Sequence, residues 1–169
     1  LTITFSMNGQ MDDNSANNNS AGSNAVAMGD STTASGTAAT AMGLYTIASG
    51  SSSTAMGAFT EASISYSTAM GRNTTAIATS STAMGRGTTA SGEESTAMGR
   101  STTASGSRST SMGGYTTASD FASLVIGQYN SSGSSVTNSA TVFNTANTAF
   151  VIGNGTNSSN KSDAFKVMF

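Results

Sequence analysis

Chemistry in this chain would have to come from very few side chains. Of its 169 residues 8% are charged, and there is no histidine and no cysteine. That removes the commonest metal ligands, the usual thiolate nucleophile and the base that activates a serine. The eight acidic residues are scattered along the chain. Gly153-Asn154-Gly155 is no phosphate loop, because no Lys-Ser/Thr follows at the required distance. We therefore expect no enzyme, no cofactor and no resident metal. A net charge of −2 gives no reason to expect nucleic acid as a partner.

Three sets of residues remain as candidates for binding. Arg72, Arg86 and Arg100 recur every fourteen residues, each directly after a glycine. Stacked guanidinium groups would bind sulfated or acidic glycans, pair with Glu93 and Glu94, or simply keep a corner soluble. Tyr45, Phe59 and Tyr115 share the slot that follows. Exposed rings there would stack on sugars or pack against a neighbouring chain. Asn18, Asn73, Asn130, Asn154, Asn157 and Asn160 head Asn-x-Ser/Thr sequons. A chain this rich in Asn, Ser and Thr produces about five by chance, so their number carries little weight.

The elements that position these residues follow from a lattice. Met28, Met42, Met56, Met70, Met84, Met98 and Met112 stand fourteen apart, each followed by glycine, and Ile126-Gly127 takes the next step. The unit is a heptad used twice. One half reads Ser81-Thr82-Ala83-Met84-Gly85, the other Thr88-Thr89-Ala90-Ser91-Gly92. The first half keeps its glycine in every copy. The second accepts Ile64, Ala78 and Asp120 in that slot. A heptad suggests a coiled coil, but glycine recurs at nearly every repeat, and each costs a helix about 1 kcal/mol. Collagen fails for want of proline and a triplet period.

Short strands joined by tight corners fit better. Ser-Thr-Ala-Met supplies a strand and Gly-x-x a corner, so two of each make a flattened coil of fourteen residues. Stacked in parallel, eight such coils would form a rod roughly 38 Å long at about 4.8 Å per rung. Successive strand residues point to opposite faces. Thr82 and Met84 then share an outer face, while Ala83 and Ala90 both face the interior of the roll. Each methionine left outside forgoes roughly 1.5–3 kcal/mol of burial. The column Met28, Met42, Met56, Met70, Met84, Met98, Met112 and Ile126 is therefore expected to be an oligomer interface. The opposite assignment, methionine inward and alanine outward, would give a monomeric solenoid.

Ser-Thr-Ala-Met-Gly and Thr-Ala-Ser-Gly at this spacing resemble the head repeats of YadA-like trimeric autotransporter adhesins, whose motif is Ser-Val-Ala-Ile-Gly alternating with Ser-x-Ala-x-Gly. The resemblance covers about residues 20–127. It implies an all-β, left-handed parallel β-roll and a homotrimer. It also implies an extracellular, cell-surface location and adhesion to a host or matrix protein or glycan. Met stands where Ile is usual, and Thr where Val is usual. The segments Ala122–Asn130, Ala149–Thr156 and Lys161–Phe169 resemble connectors that join such heads to later modules in surface proteins and phage tail fibres.

The chain thus divides into an N-terminal strand and polar loop (1–19), β-roll repeats (20–127) and a C-terminal cap or connector (128–169). Leu1–Phe5 alternates like a strand. Val136, Val142, Phe143, Phe150, Val151, Phe165 and Phe169 restore larger apolar residues where the open end of a roll needs cover. Residues 130–148 read as an extended loop. No signal sequence or membrane span is apparent, and the Leu start and Phe end read as those of a piece of something longer. Three other functions share this fold: a receptor-binding fibre of a phage or virus, a ligand-free spacer, and an ice-binding surface. The last rests on Thr33, Thr75, Thr89, Thr103 and Thr117, an array interrupted by Ile47, Glu61 and Ile77.

Overall fold

The computed structural model describes residues 11–12 and 18–169, so the expected Leu1–Phe5 strand lies outside the described residues. The fold is an all-β parallel solenoid with a fourteen-residue turn. Each turn contains one five-residue and one two-residue strand. The long strands are Val26–Asp30, Thr40–Leu44, Thr54–Ala58, Thr68–Arg72, Thr82–Arg86, Thr96–Arg100, Thr110–Gly114 and Leu124–Gln128. The short ones are Thr33–Ala34, Ile47–Ala48, Glu61–Ala62, Thr75–Ala76, Thr89–Ala90, Thr103–Ala104 and Thr117–Ala118. They form separate sheets of 11 and 7 strands, the larger including Met11–Asp12 at one end and Thr148–Asn154 and Asp163–Met168 at the other. Pairing keeps the sequence lattice: Ala83 meets Ala97, Met84 meets Met98 and Arg86 meets Arg100.

The expected corner after methionine is displaced. The strand continues through Gly85 and Arg86, and the chain turns at the next residue. Gly85 has φ +120°, a region L side chains rarely adopt, and a Cβ there would overlap the carbonyl oxygen of Gly99. This explains the invariant glycine of the methionine half. The serine half is not held by a positive φ, so it can adapt. Where Gly92 stands, its N–H donates to the carbonyl of Ala104 at 3.2 Å. Where Ala78 stands, the N–H turns to Ser81 Oγ at 3.2 Å. In all three glycine-free coils the buried serine three residues on donates to that residue's carbonyl: Ser67 to Ile64, Ser81 to Ala78 and Ser123 to Asp120, at 2.6, 2.7 and 2.9 Å. In glycine coils Ser95 and Ser109 instead reach the next turn, to the carbonyls of Ala104 and Ala118.

The true corners fall every seventh residue. From Asn24 to Tyr129 each has φ between 44° and 65°, and all but Gly87 carry a side chain. Left-handed backbone costs an L residue about 1–2 kcal/mol. Here corner N–H groups extend the hydrogen-bond ladder to offset it, as Tyr115 does to Arg100 O at 2.7 Å and Arg108 to Glu93 O at 2.7 Å.

The interior is lined as alternation predicts. Ala27, Ala41, Ala55, Ala69, Ala83 and Ala97 on the long strands are fully buried, and so are Ala34 through Ala118 on the short ones. The inward-methionine alternative is excluded. Alanine is not the whole core, however. Thr32, Thr46, Thr60, Thr74, Thr88, Thr102 and Thr116 are also buried, as are Ser53, Ser67, Ser81, Ser95 and Ser109. The hydroxyls of Thr46, Thr60, Thr74, Thr88 and Thr102 have no hydrogen-bond partner. Thr116 has one, because Ser111 replaces the row's alanine and its hydroxyl lies 2.8 Å away.

At the C-terminal end Thr148–Asn154 adds one more parallel rung, with Val151 opposite Val125 and both buried. Asp163–Met168 then pairs antiparallel as the edge strand. Residues 130–147 form no strand but follow the end of the short sheet, where Ser119 donates to Gly133 O and Phe121 to Ser139 O, each at 2.9 Å.

Candidate functional site

The methionine column lies on the outer face of the long sheet. Met28 and Met42 are 36% and 37% exposed, and Met56, Met70, Met84, Met98, Met112 and Ile126 are half-buried. Each sits opposite its counterpart one turn away, and Ile126 meets Ile152. On the same strand Met84 is flanked by Gly85, which has no side chain, and two residues earlier by the small Thr82. The result is a continuous apolar stripe along the outer face of the long sheet.

Arg72, Arg86 and Arg100 close three consecutive long strands in perfect register. All three are exposed. Their rungs are about 4.8 Å apart, so each charge faces a like charge. The expected pairing with Glu93 and Glu94 does not occur. Glu94 binds Arg108, one turn along the opposite corner column, with Nε to Oε2 at 2.8 Å. Among the described residues this is the one ion pair. The hydrogen bond that Arg108 donates to Glu94, and then the carboxylate's charge, raise the Arg108 pKa above its ordinary value. Arg108 also lies over the Phe121 ring, 5.5 Å from its centroid.

The aromatic slot builds two stacks that flank the arginines. Tyr45 and Phe59 stack at 5.3 Å with planes 15° apart. Tyr115 stacks on Tyr129 at 4.5 Å and 6°. Arg100 lies over Tyr115, its guanidinium carbon 5.3 Å from the ring centroid. Desolvation within the stack, and then the neighbouring Tyr115, raises the Tyr129 phenol above its usual pKa. Asn73, Gly87 and Ser101 occupy the aromatic column beside Arg72, Arg86 and Arg100, leaving that stretch low. Tyr129 was absent from the candidates, although it lies fourteen residues after Tyr115. Extending the column one more step would have found it.

Two buried polar residues serve the C-terminal end rather than a ligand. Asp120, in a glycine slot of the heptad, is fully buried. Its carboxylate accepts the N–H of Thr137 and, at 2.7 Å, that of Thr148. Asn130 is 1% exposed. Its amide pairs with both the N–H and the carbonyl of Thr117, at 2.8 Å each, completing the last short strand as another rung would. That amide also donates to Ser132 O at 2.7 Å, so the Asn130 sequon is closed to glycan attachment in the folded chain. Asn73, Asn154, Asn157 and Asn160 are exposed. The threonines Thr33, Thr75, Thr89, Thr103 and Thr117 stand on the outer face of the short sheet, on five of its seven rungs, with Ile47 and Glu61 on the other two.

Comparison with curated proteins finds no match. A family profile described as YadA head domain repeat (2 copies) matches residues 20–46, 48–74, 76–102 and 90–116, together more than half of the chain. The matched segments coincide with the regular turns, where glycine, inward alanine and outward methionine recur. On that profile and this fourteen-residue β-solenoid, the chain belongs to the YadA head domain family.

Proposed function

We propose that the chain is the non-enzymatic head of a trimeric adhesin, displayed on an extracellular surface. Three copies pack side by side through their methionine faces and bind a host or matrix partner with many weak contacts. The observation that carries this reading is the in-register methionine stripe, half-buried to exposed along the outer face of the long sheet. Apolar stripes of that continuity mark interaction surfaces. Packing them together recovers up to about 1.5–3 kcal/mol for each methionine that becomes fully covered. Membership of the YadA head family supports three chains rather than two. Trimerisation multiplies each ligand contact, so weak sites add up to strong attachment. The column from Met28 to Ile126 is then structural, and ligand contacts fall to the outer edges.

Light scattering on the purified chain tests this reading. A trimeric mass is expected, and a stable monomer would overturn it. Replacing Met70 and Met84 together by Glu places six carboxylates in the proposed interface and should yield folded monomers. A trimer unchanged by that double substitution would show that the chains meet elsewhere.

A further inference from the structure

We infer that the edge formed by Arg72, Arg86 and Arg100, bounded by the Tyr45–Phe59 and Tyr115–Tyr129 stacks, is a binding strip for a sulfated polysaccharide. This rests on the adhesin reading and names the ligand class of its edge.

Three observations converge. The arginine column is built by strand register, so its three exposed side chains spring from adjacent rungs of one straight backbone column. The only carboxylate in that column is Asp30, three rungs before Arg72, and the adjacent corner column from Ser31 to Tyr129 has none. Glu94, the acidic residue nearest in sequence to Arg100 that makes an ion pair, is engaged by Arg108. The like charges therefore stand without a carboxylate partner, Arg100 resting instead over the Tyr115 ring. A guanidinium fork binds a planar or tetrahedral oxyanion with two parallel hydrogen bonds. A row of such forks at about 4.8 Å suits a ligand that presents anionic groups along an extended chain.

The flanking rings decide the chemistry of that chain. Tyr45 and Phe59 are 52% and 49% exposed, yet their inner faces are already stacked on each other. They offer apolar edges and an outer face to a sugar ring, not a slot that would admit a base. Between the stacks the corner column holds only Asn73, Gly87 and Ser101, so a polymer can lie flat against the arginines. The sequence pI of about 4.7 also argues against nucleic acid, whose binding domains carry a broad basic footprint. A short cationic strip on an acidic protein discriminates local sulfate density rather than total polymer charge.

The experiment measures binding of the intact chain to heparin, to chemically desulfated heparin and to a single-stranded oligonucleotide. The variants are R72Q/R86Q/R100Q, R108Q and K161Q. The wild type should bind heparin best. The triple variant should lose at least about tenfold in affinity at physiological salt, since it removes all three charge-assisted hydrogen-bond donors of the strip. R108Q and K161Q should stay within about twofold, as a screened cation outside the strip contributes little. An unchanged melting curve confirms that the triple variant folds. Equal heparin binding by the triple variant, equal loss in R108Q, or equal binding of desulfated heparin or the oligonucleotide would each overturn the inference. Light scattering on the same samples separates it from the trimer: a monomer that binds heparin refutes the trimeric reading alone, and a trimer that does not bind refutes this strip alone.

Discussion

The buried threonine row offers the sharpest test of how the roll is held together. Thr102 Oγ1 is enclosed and has no partner, whereas Thr116 Oγ1, one turn later, is 2.8 Å from Ser111 Oγ. The difference between the two turns is Ala97 against Ser111, which are paired at the same lattice position. Ala97→Ser should therefore place a hydroxyl beside Thr102 and complete the missing bond. A buried hydrogen bond contributes about 0.5–1.5 kcal/mol net, while an unsatisfied group costs about 1–3 kcal/mol. The space exists, because the same row already accepts Ser111 and, one rung further, Val125. We expect Ala97→Ser to stabilise by about 1 kcal/mol and Ser111→Ala to destabilise by a similar amount, since one is nearly the reverse of the other. Thr102→Val, which removes an unpartnered hydroxyl, should be neutral or stabilising, whereas Thr116→Val should destabilise. Urea unfolding at fixed protein concentration reads this as midpoint shifts of about 0.3–1 M with unchanged slope. If Ala97→Ser and Ser111→Ala shift the midpoint in the same direction, or neither shifts it, the hydroxyl row is not what limits the core.

Two further expectations concern single positions. Gly85→Ala should destabilise by about 3 kcal/mol or more, because it combines a positive φ with a clash against Gly99. Gly87→Ala, two residues away, should cost no more than about 1 kcal/mol, since its φ of +65° is one that its column neighbours Asn73 and Ser101 already adopt. Thermal melts of the pair check the contrast. Asp120→Ala strips the acceptor from the Thr137 and Thr148 amides. Hydrogen exchange at those two should accelerate by about a hundredfold, on the scale of two lost bonds to a charged group, while the Thr89 amide stays protected.

Much of the architecture was legible in the residues. A strict fourteen-residue period can only mean that every turn presents the same environment, so parallel register followed directly. Alternation then sent alanine inward and methionine outward, and both assignments hold from Ala27 to Ala97. What alternation also contained, but was not drawn from it, is the fate of Ser81 and Thr88. They lie two residues before Ala83 and Ala90 and share their face, so the core is as much hydroxyl as methyl. The arginine corner was placed one residue early, because Gly85 was taken as a turn signal. Its extended backbone with φ +120° keeps the strand going, and the turn is made by residues such as Tyr45, Phe59 and Asn73 that carry no sequence mark of a turn in common.

The sequence by itself determined the period, the faces and the poverty of chemistry: no histidine or cysteine, and a lattice that places like above like. These depend only on composition and on the two-residue repeat of a strand. Tertiary structure alone decided which charges are compensated. Glu94 is closer in sequence to Arg100 than to Arg108, but stacking brings together residues fourteen apart, so Glu94 meets Arg108 and Arg72, Arg86 and Arg100 are left facing outward together. It likewise turned Asp120 from an irregular glycine slot into the buried anchor of Thr137 and Thr148, seventeen and twenty-eight residues along the chain. Contacts of that range follow from how the chain end closes over the last turn, which no local pattern encodes.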